Sequence, residues 1–232
     1  TGVKVSKIQS MKQNAKVYLE KKADDEIIKV EKVLLAVGVT GNINNLGLED
    51  LGIETEAGAI KTDNYNRTNI ENIYAIGDVC GPPWLAHVAS AQGHLAAEHS
   101  AGLNVNPIDY SNIPGCTYCQ PQVGSLGMTE EQAISSGFKV KVGRFSFQAS
   151  GKAMATGNTI GFVKLIFDEK YGELLGAHIV GSEATEMIAE LGMAKALEST
   201  WDDLSMTVHA HPTLSEAIME AAMDAQGHSI HQ

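Results

Sequence analysis

Residues 161–180 read GFVKLIFDEKYGELLGAHIV, and they decide the class of the fold. Two runs rich in β-branched, aromatic and leucine side chains, 161–167 and 174–180, are joined by the polar stretch from Asp168 to Glu173. That pattern predicts antiparallel strands with one face solvated. Upstream, residues 139–147 supply a third strand of the same kind. Before it, Thr129-Glu130-Glu131-Gln132-Ala133 opens a short helix, with Thr129 as N-cap and Gln132 placed for a capping box. Downstream, residues 183–199 and 214–225 are rich in Ala and Met and read as helices. Three strands flanked by helices make an α+β domain with an antiparallel sheet, assigned to residues 108–232. The stretch 102–114 is linker by composition and marks its start.

The first part of the chain reads differently. Val3, Val5, Ile8, Val17 and Leu19 alternate loosely, and Ile27-Ile28-Lys29-Val30 follows the polar residues 21–26. These are short strands joined by turns. Residues 33–37 (Val-Leu-Leu-Ala-Val) form an unbroken apolar run closing in Gly38, the pattern of a strand buried on both faces. Residues 41–70, rich in Asn, Gly and Asp, read as loop. Residues 73–76 predict a second buried strand, closing in Gly77-Asp78. Gly81-Pro82-Pro83 forces a turn, and a helix is predicted over 85–101. The fold class is therefore α/β plus α+β, divided at 1–40, 41–107 and 108–232.

Composition narrows the function. The 232 residues carry 17 basic and 28 acidic side chains, a net charge of −11, which disfavours nucleic acid or an anionic membrane as partner. No apolar run approaches the roughly 20 residues of a membrane span, and Thr1-Gly2-Val3-Lys4 does not resemble a secretory leader. A cytoplasmic protein is expected. None of the 23 glycines is followed two residues later by another, so there is no G-x-G turn, and no Walker A string exists either.

Three motifs carry chemistry. In Tyr74-Ala75-Ile76-Gly77-Asp78, a carboxylate stands at a predicted strand end, just before the predicted N-terminus of a helix. Asp78 there can accept hydrogen bonds from ligand hydroxyls, or merely cap a turn. In His209-Ala210-His211-Pro212-Thr213-Leu214-Ser215-Glu216, Pro212 suits the first position of a helix, which places Glu216 one turn in, able to reach back to His211. A carboxylate orients an imidazole and fixes its tautomer, as a general base requires; a lone imidazole is more often structural. Cys116-Thr117-Tyr118-Cys119 is a C-x-x-C, but no second ligand pair completes a zinc site and no helix opens after it, so these read as ordinary buried thiols. His228 and His231 lie in a tail expected to fray.

The string from Thr68 to Val79, followed by Leu85-Ala86-His87 and Gln92-Gly93, resembles the second flavin-binding motif of the pyridine nucleotide–disulfide oxidoreductases. Ala36-Val37-Gly38 resembles the strand by which that family leaves its NAD domain. The family's following Arg-x-Pro-Asn is here Val39-Thr40-Gly41-Asn42, so no role of that Arg or Pro transfers. The string from Tyr118 to Glu130 is similar to the start of the family's interface domain. The string from His209 to Glu216 is similar to the C-terminal signature of its dihydrolipoamide dehydrogenase branch.

The resemblance covers only the C-terminal half of the family's chain, and the family's C-x-x-x-x-C disulfide is absent. It implies an FAD- and NAD-dependent homodimeric oxidoreductase that oxidises protein-bound dihydrolipoamide. The lipoyl domain of a 2-oxo acid dehydrogenase complex or of the glycine cleavage system would be its partner. On that reading Asp78 bonds the flavin's ribityl chain, and backbone at Trp84, Leu85, Ala86 and His87 lies along the flavin. Gly38 lines the NAD site, His211 is the acid/base serving the opposite subunit, and Glu216 is its orienter. His209 is left with packing, and no metal is implied. This part alone is expected to be inactive. The alternatives are a glutathione-reductase-like enzyme, which shares a His-Pro-Thr…Glu ending, and a non-catalytic dimerisation module.

Overall fold

A computed structural model describes residues 2–20 and 26–231. The chain divides into two compact units, Thr1–Ala89 and Ser90–Gln232.

In the first unit, β1 (Lys4–Ser10), β2 (Ala15–Glu20) and β3 (Glu26–Val30) form an antiparallel sheet in the order β1-β2-β3. The strands expected from the loose alternation are present. The turn expected over 21–26 lies, for residues 21–25, outside the described residues. The strand expected at 33–37 is not formed: Leu34 and Val37 are each 91% exposed. A strand needs a hydrogen-bonded neighbour and cover for its faces, and no described strand pairs with this run. The second expected strand, 73–76, is reduced to one bridge between Arg67 and Tyr74, with Ala75 buried and Ile76 exposed.

Residues 41–70 hold more structure than their composition suggests. A hairpin of β4 (Thr55–Glu56) and β5 (Ala59–Ile60) and a small core of Leu48, Ile53, Ile60 and Ala75 organise them. Buried Thr68 donates its hydroxyl to the Ile73 carbonyl oxygen at 2.9 Å, and its N–H bonds the same oxygen. Asn69 accepts from the Glu54 N–H and donates to the Gly52 carbonyl. Asx and Thr side chains thus replace a ladder as the partners of this backbone. Helix α1 (Ala86–Ser100) follows as predicted, and the division between the units falls within it.

The second unit is a five-stranded antiparallel sheet with helices. Its strands are β6 (Gly115–Thr117), β7 (Gln122–Gly127), β8 (Val140–Ser146), β9 (Phe162–Asp168) and β10 (Leu174–Gly181), in the order β6-β7-β10-β9-β8. Helix α2 (Glu130–Ser135) starts with the predicted capping box: Thr129 and Gln132 satisfy each other's backbone N–H groups. The remaining helices are α3 (Gly151–Thr156), α4 (Ala184–Ala196), α5 (Trp201–Met206) and α6 (Glu216–Ala225).

The solvated face expected for the central strands is largely covered. Val163, Leu165 and Phe167 of β9 join the main core with Leu191 of α4 and Ile218 of α6. On the other face, Ile166 and Leu175 are buried with Ala133 of α2. Helix α6 lies directly on β8: a methyl added at Gly143 would overlap the Ala221 carbonyl oxygen. Along that seam the helix presents Ala217, Ala221 and Ala225, all buried.

Candidate functional site

Residues 207–215 join α5 to α6 without regular structure. Helix α6 starts at Glu216 rather than at Pro212. Its first turn is tightened by i→i−3 bonds from the Ala217 and Ile218 N–H groups to the carbonyls of Leu214 and Ser215. The Pro therefore sits in the turn before the helix, and Glu216 is the first helical residue. This shift leaves the predicted pairing intact. His211 Nδ1 lies 2.9 Å from Glu216 Oε1, while Glu216 Oε2 accepts the Thr213 N–H at 2.8 Å.

Both carboxylate oxygens are thus fixed. Burial pushes the Glu216 carboxyl up, but the Thr213 N–H, the His211 ring and the nearby His209 together hold it below its ordinary value. An ionised Glu216 accepts only, so Nδ1 of His211 carries a proton and Nε2 is the edge available for proton exchange. The His211 side chain is 77% exposed, so that edge is open to a reacting group.

His209 was expected only to pack. Its side chain is 6% exposed, and Nε2 lies 2.8 Å from Glu190 Oε1 of α4. Glu190 also lines an open groove of about 410 Å³, together with Glu183, Glu186, Lys152 and residues 212–215. Neither Glu190 nor this groove was picked out from the sequence. The signal was a second carboxylate 19 residues before His209, which only the tertiary fold brings near.

In the first unit, Asp78 lies in a 3₁₀ turn, Gly77–Cys80, with its side chain exposed. A Cβ at Gly41 would stand 2.7 Å from the Asp78 carbonyl oxygen, so the 40–42 backbone lies directly on the Asp78 turn. Trp84 is 38% exposed and borders a groove of about 510 Å³ with Thr40, Gly41, Gly58, Cys80 and Pro82. Burial pushes the Cys80 thiol up to about 11. Leu85 is half-buried, and Ala86 and His87 are exposed at the start of α1. An exposed carboxylate just ahead of a helix N-terminus fits a ligand rich in hydroxyls. Gly38 is exposed, with φ of 98°, in a stretch without regular structure.

Cys116 is half-buried and raised by that burial, whereas Cys119 is exposed and donates to the Pro121 carbonyl. The expectation of two buried thiols therefore fails at Cys119. Residues 230 and 231 of the tail are tied to α6. The buried Glu220 carboxylate accepts the Ile230 N–H at 3.0 Å and also pairs with the His231 ring. Among the described residues no three His, Cys, Asp or Glu side chains converge as metal ligands.

Comparison with known proteins gives these features a family. Residues 1–93 match the model of the pyridine nucleotide-disulphide oxidoreductases, and residues 113–222 match that of their dimerisation domain. Dihydrolipoyl dehydrogenase from Rhizobium etli is 49% identical over 98% of this chain and 48% of its own length. That from Bacillus subtilis is 43% identical over 100% of this chain and 49% of its own. The chain thus spans about half the length of the curated relatives it matches.

Among solved structures, LpdA from Mycobacterium tuberculosis superposes with a TM-score of 0.86 at 25% identity, over 95% of this chain and 48% of its own. A HOCl-induced flavoprotein disulfide reductase from Escherichia coli gives 0.84 at 26%, over 94% and 50%. With both segments matching models of one family, and the fold matching that of its flavoproteins, the chain belongs to the pyridine nucleotide-disulphide oxidoreductases.

Proposed function

We propose that this chain supplies the proton-transfer and interface half of a dihydrolipoamide dehydrogenase, and that His211 is its acid/base. The observation that carries the reading is the His211–Glu216 contact of 2.9 Å, with the second carboxylate oxygen tied to the Thr213 N–H. A thiolate is the reactive form of a thiol, so oxidation of a dithiol needs a base that accepts a proton at the sulfur. Nε2 of His211 takes that proton. Glu216 keeps Nδ1 protonated and stabilises the imidazolium that forms. In the homodimer the ring serves the active site of the opposite subunit.

FAD, when bound, accepts the electrons that NAD⁺ then removes. Asp78 would hold its ribityl hydroxyls, with Trp84, Leu85, Ala86 and His87 alongside. Gly38 would border the nicotinamide nucleotide. In this reading residues 1–40 close the NAD domain, 41–107 complete the FAD site and 108–232 form the interface domain. The lipoyl domain of a 2-oxo acid dehydrogenase complex or of the glycine cleavage system is the partner, in the cytoplasm.

The test is His211→Gln in the complete FAD-loaded enzyme, reading flavin reduction by dihydrolipoamide and by NADH separately. General acid–base assistance is worth about 10²–10⁴-fold. The thiol half-reaction should therefore fall at least about a hundredfold. Hydride transfer from NADH needs no base at a thiol and should survive. An equal fall in both would make His211 structural.

A further inference from the structure

Glu190, which lines the groove on α4, is the partner of His209. The His209 ring is engaged at both nitrogens, 3.0 Å from the Thr207 carbonyl oxygen at Nδ1 and 2.8 Å from Glu190 at Nε2. A carbonyl and a carboxylate both accept, so each ring nitrogen must carry a proton and the ring is an imidazolium. Among the hydrogen bonds of residues 207–213 in the described structure, those from Thr207 and Thr213 hydroxyls stay within four residues, and Glu216 binds from the adjoining helix start. The His209–Glu190 bond alone ties this segment to a distant element, α4.

We propose that His209 and Glu190 are a positioning pair for proton transfer: a largely buried ion pair that fastens residues 207–211 to α4 and sets where His211 meets Glu216. The proposal rests on the reading of His211 as the base. The charged groups facing His209 are Glu190 of α4 and Glu216 of α6, with Glu183, Glu186 and Lys152 along the groove that Glu190 lines. The Glu190 hydrogen bond raises His209 above its ordinary value against the pull of burial, and His209 in turn helps lower Glu216.

The two charges of the pair cancel near the base, which gives a signature that mere scaffolding lacks. His209→Gln leaves Glu190 uncompensated, so the site protonates more readily and the acid limb of the dihydrolipoamide half-reaction should move to higher pH. Glu190→Gln removes the acceptor that keeps the buried His209 ring charged, so the ring releases its proton and the limb should stay near its original position. The double variant should return the limb to its original position.

In the complete FAD-loaded enzyme, each single variant should also slow flavin reduction by dihydrolipoamide by about tenfold through misplacement of the base, leaving reduction by NADH within about twofold. Losses in the double variant should not add. Equal limb positions in the two single variants, additive losses, or equal losses in both half-reactions would overturn the proposal. Glu190 is one-third exposed, so Glu190→Gln decides the matter alone if His209→Gln does not fold. Running His211→Gln beside them separates the two readings. If it lowers both half-reactions equally, the base assignment falls and takes this proposal with it; if it acts on the thiol side alone while the pair's variants are silent, only the positioning role falls.

Discussion

Three histidines of the second unit carry three different proton inventories. His178, half-buried on β10, faces the Met128 carbonyl at Nε2, to which it donates, and the Ser125 hydroxyl at Nδ1, which can donate to it; burial lowers it and so favours the neutral ring. His209 faces two acceptors and is charged. His211 has one nitrogen fixed by Glu216 and the other open. Opposite stability effects follow from the first two.

Because His209 is raised in the folded state, its contribution is complete below the ordinary histidine value of about 6.5 and fades as pH rises through the folded value. His178 is lowered, so its contribution is present above about 6.5 and is lost as pH falls toward its folded value. Thermal melts should therefore show His209→Gln least destabilising at high pH. An unchanged pH–Tm profile for that variant would contradict the ring's assignment as a cation. At the proposed catalytic pair, Glu216→Gln should cost less turnover than His211→Gln, since on that proposal the base remains and loses only its orientation and ionic partner; kcat of the complete enzyme for the two side by side checks this. Of this site, His211 and Glu216 were legible because they lie five positions apart in one string. Glu190 was not, since nothing local links it to His209.

At the scale of elements, sequence periodicity succeeded where a segment carries its own signal. The Thr129–Gln132 capping box and the three alternating runs became α2, β8, β9 and β10. It failed at 33–37 and 73–76, where apolar content alone suggested strands that have no described ladder partner. Short β6 and β7 escaped notice because Gly, Gln and Ser dilute their pattern, and α3 and α5 because six residues hold too little periodicity.

Two experiments belong here. Gly41→Ala would press a methyl against the Asp78 carbonyl, 2.7 Å away, and shift that turn. The complete enzyme carrying it should retain less FAD per chain, measured by absorbance, and an unchanged flavin ratio would separate Asp78 from the cofactor. Replacing Cys116 and Cys119 with Ser should leave turnover within about twofold, because burial disfavours the Cys116 thiolate and neither sulfur is bridged. A tenfold loss with the fold intact would restore a redox role.

At the scale of the whole molecule, the second unit exposes more apolar surface than a solitary domain needs. Val208, Met206, Ile160, Leu197 and Met193 are all between 63% and 94% exposed. Such a surface suits a large apolar interface between copies. Sedimentation of the chain at micromolar concentration should give twice the mass of 24.7 kDa, and a monomer would count against the interface assignment.

The seam between Gly143 and α6 has a further consequence. Glu216 opens the same helix whose Ala221 carbonyl rests on Gly143, five residues and about 7.5 Å of helix rise away. The helix acts as a lever whose fulcrum is a glycine in a strand. Gly143→Ala must lift the helix, at a cost of about 1–3 kcal/mol for overpacking, and any tilt reaches the carboxylate at its tip. Displacements near 1 Å at a catalytic group can cost about a hundredfold in rate. A single methyl on a strand should therefore behave, in a kinetic assay of the complete enzyme, like a lesion of the proposed base.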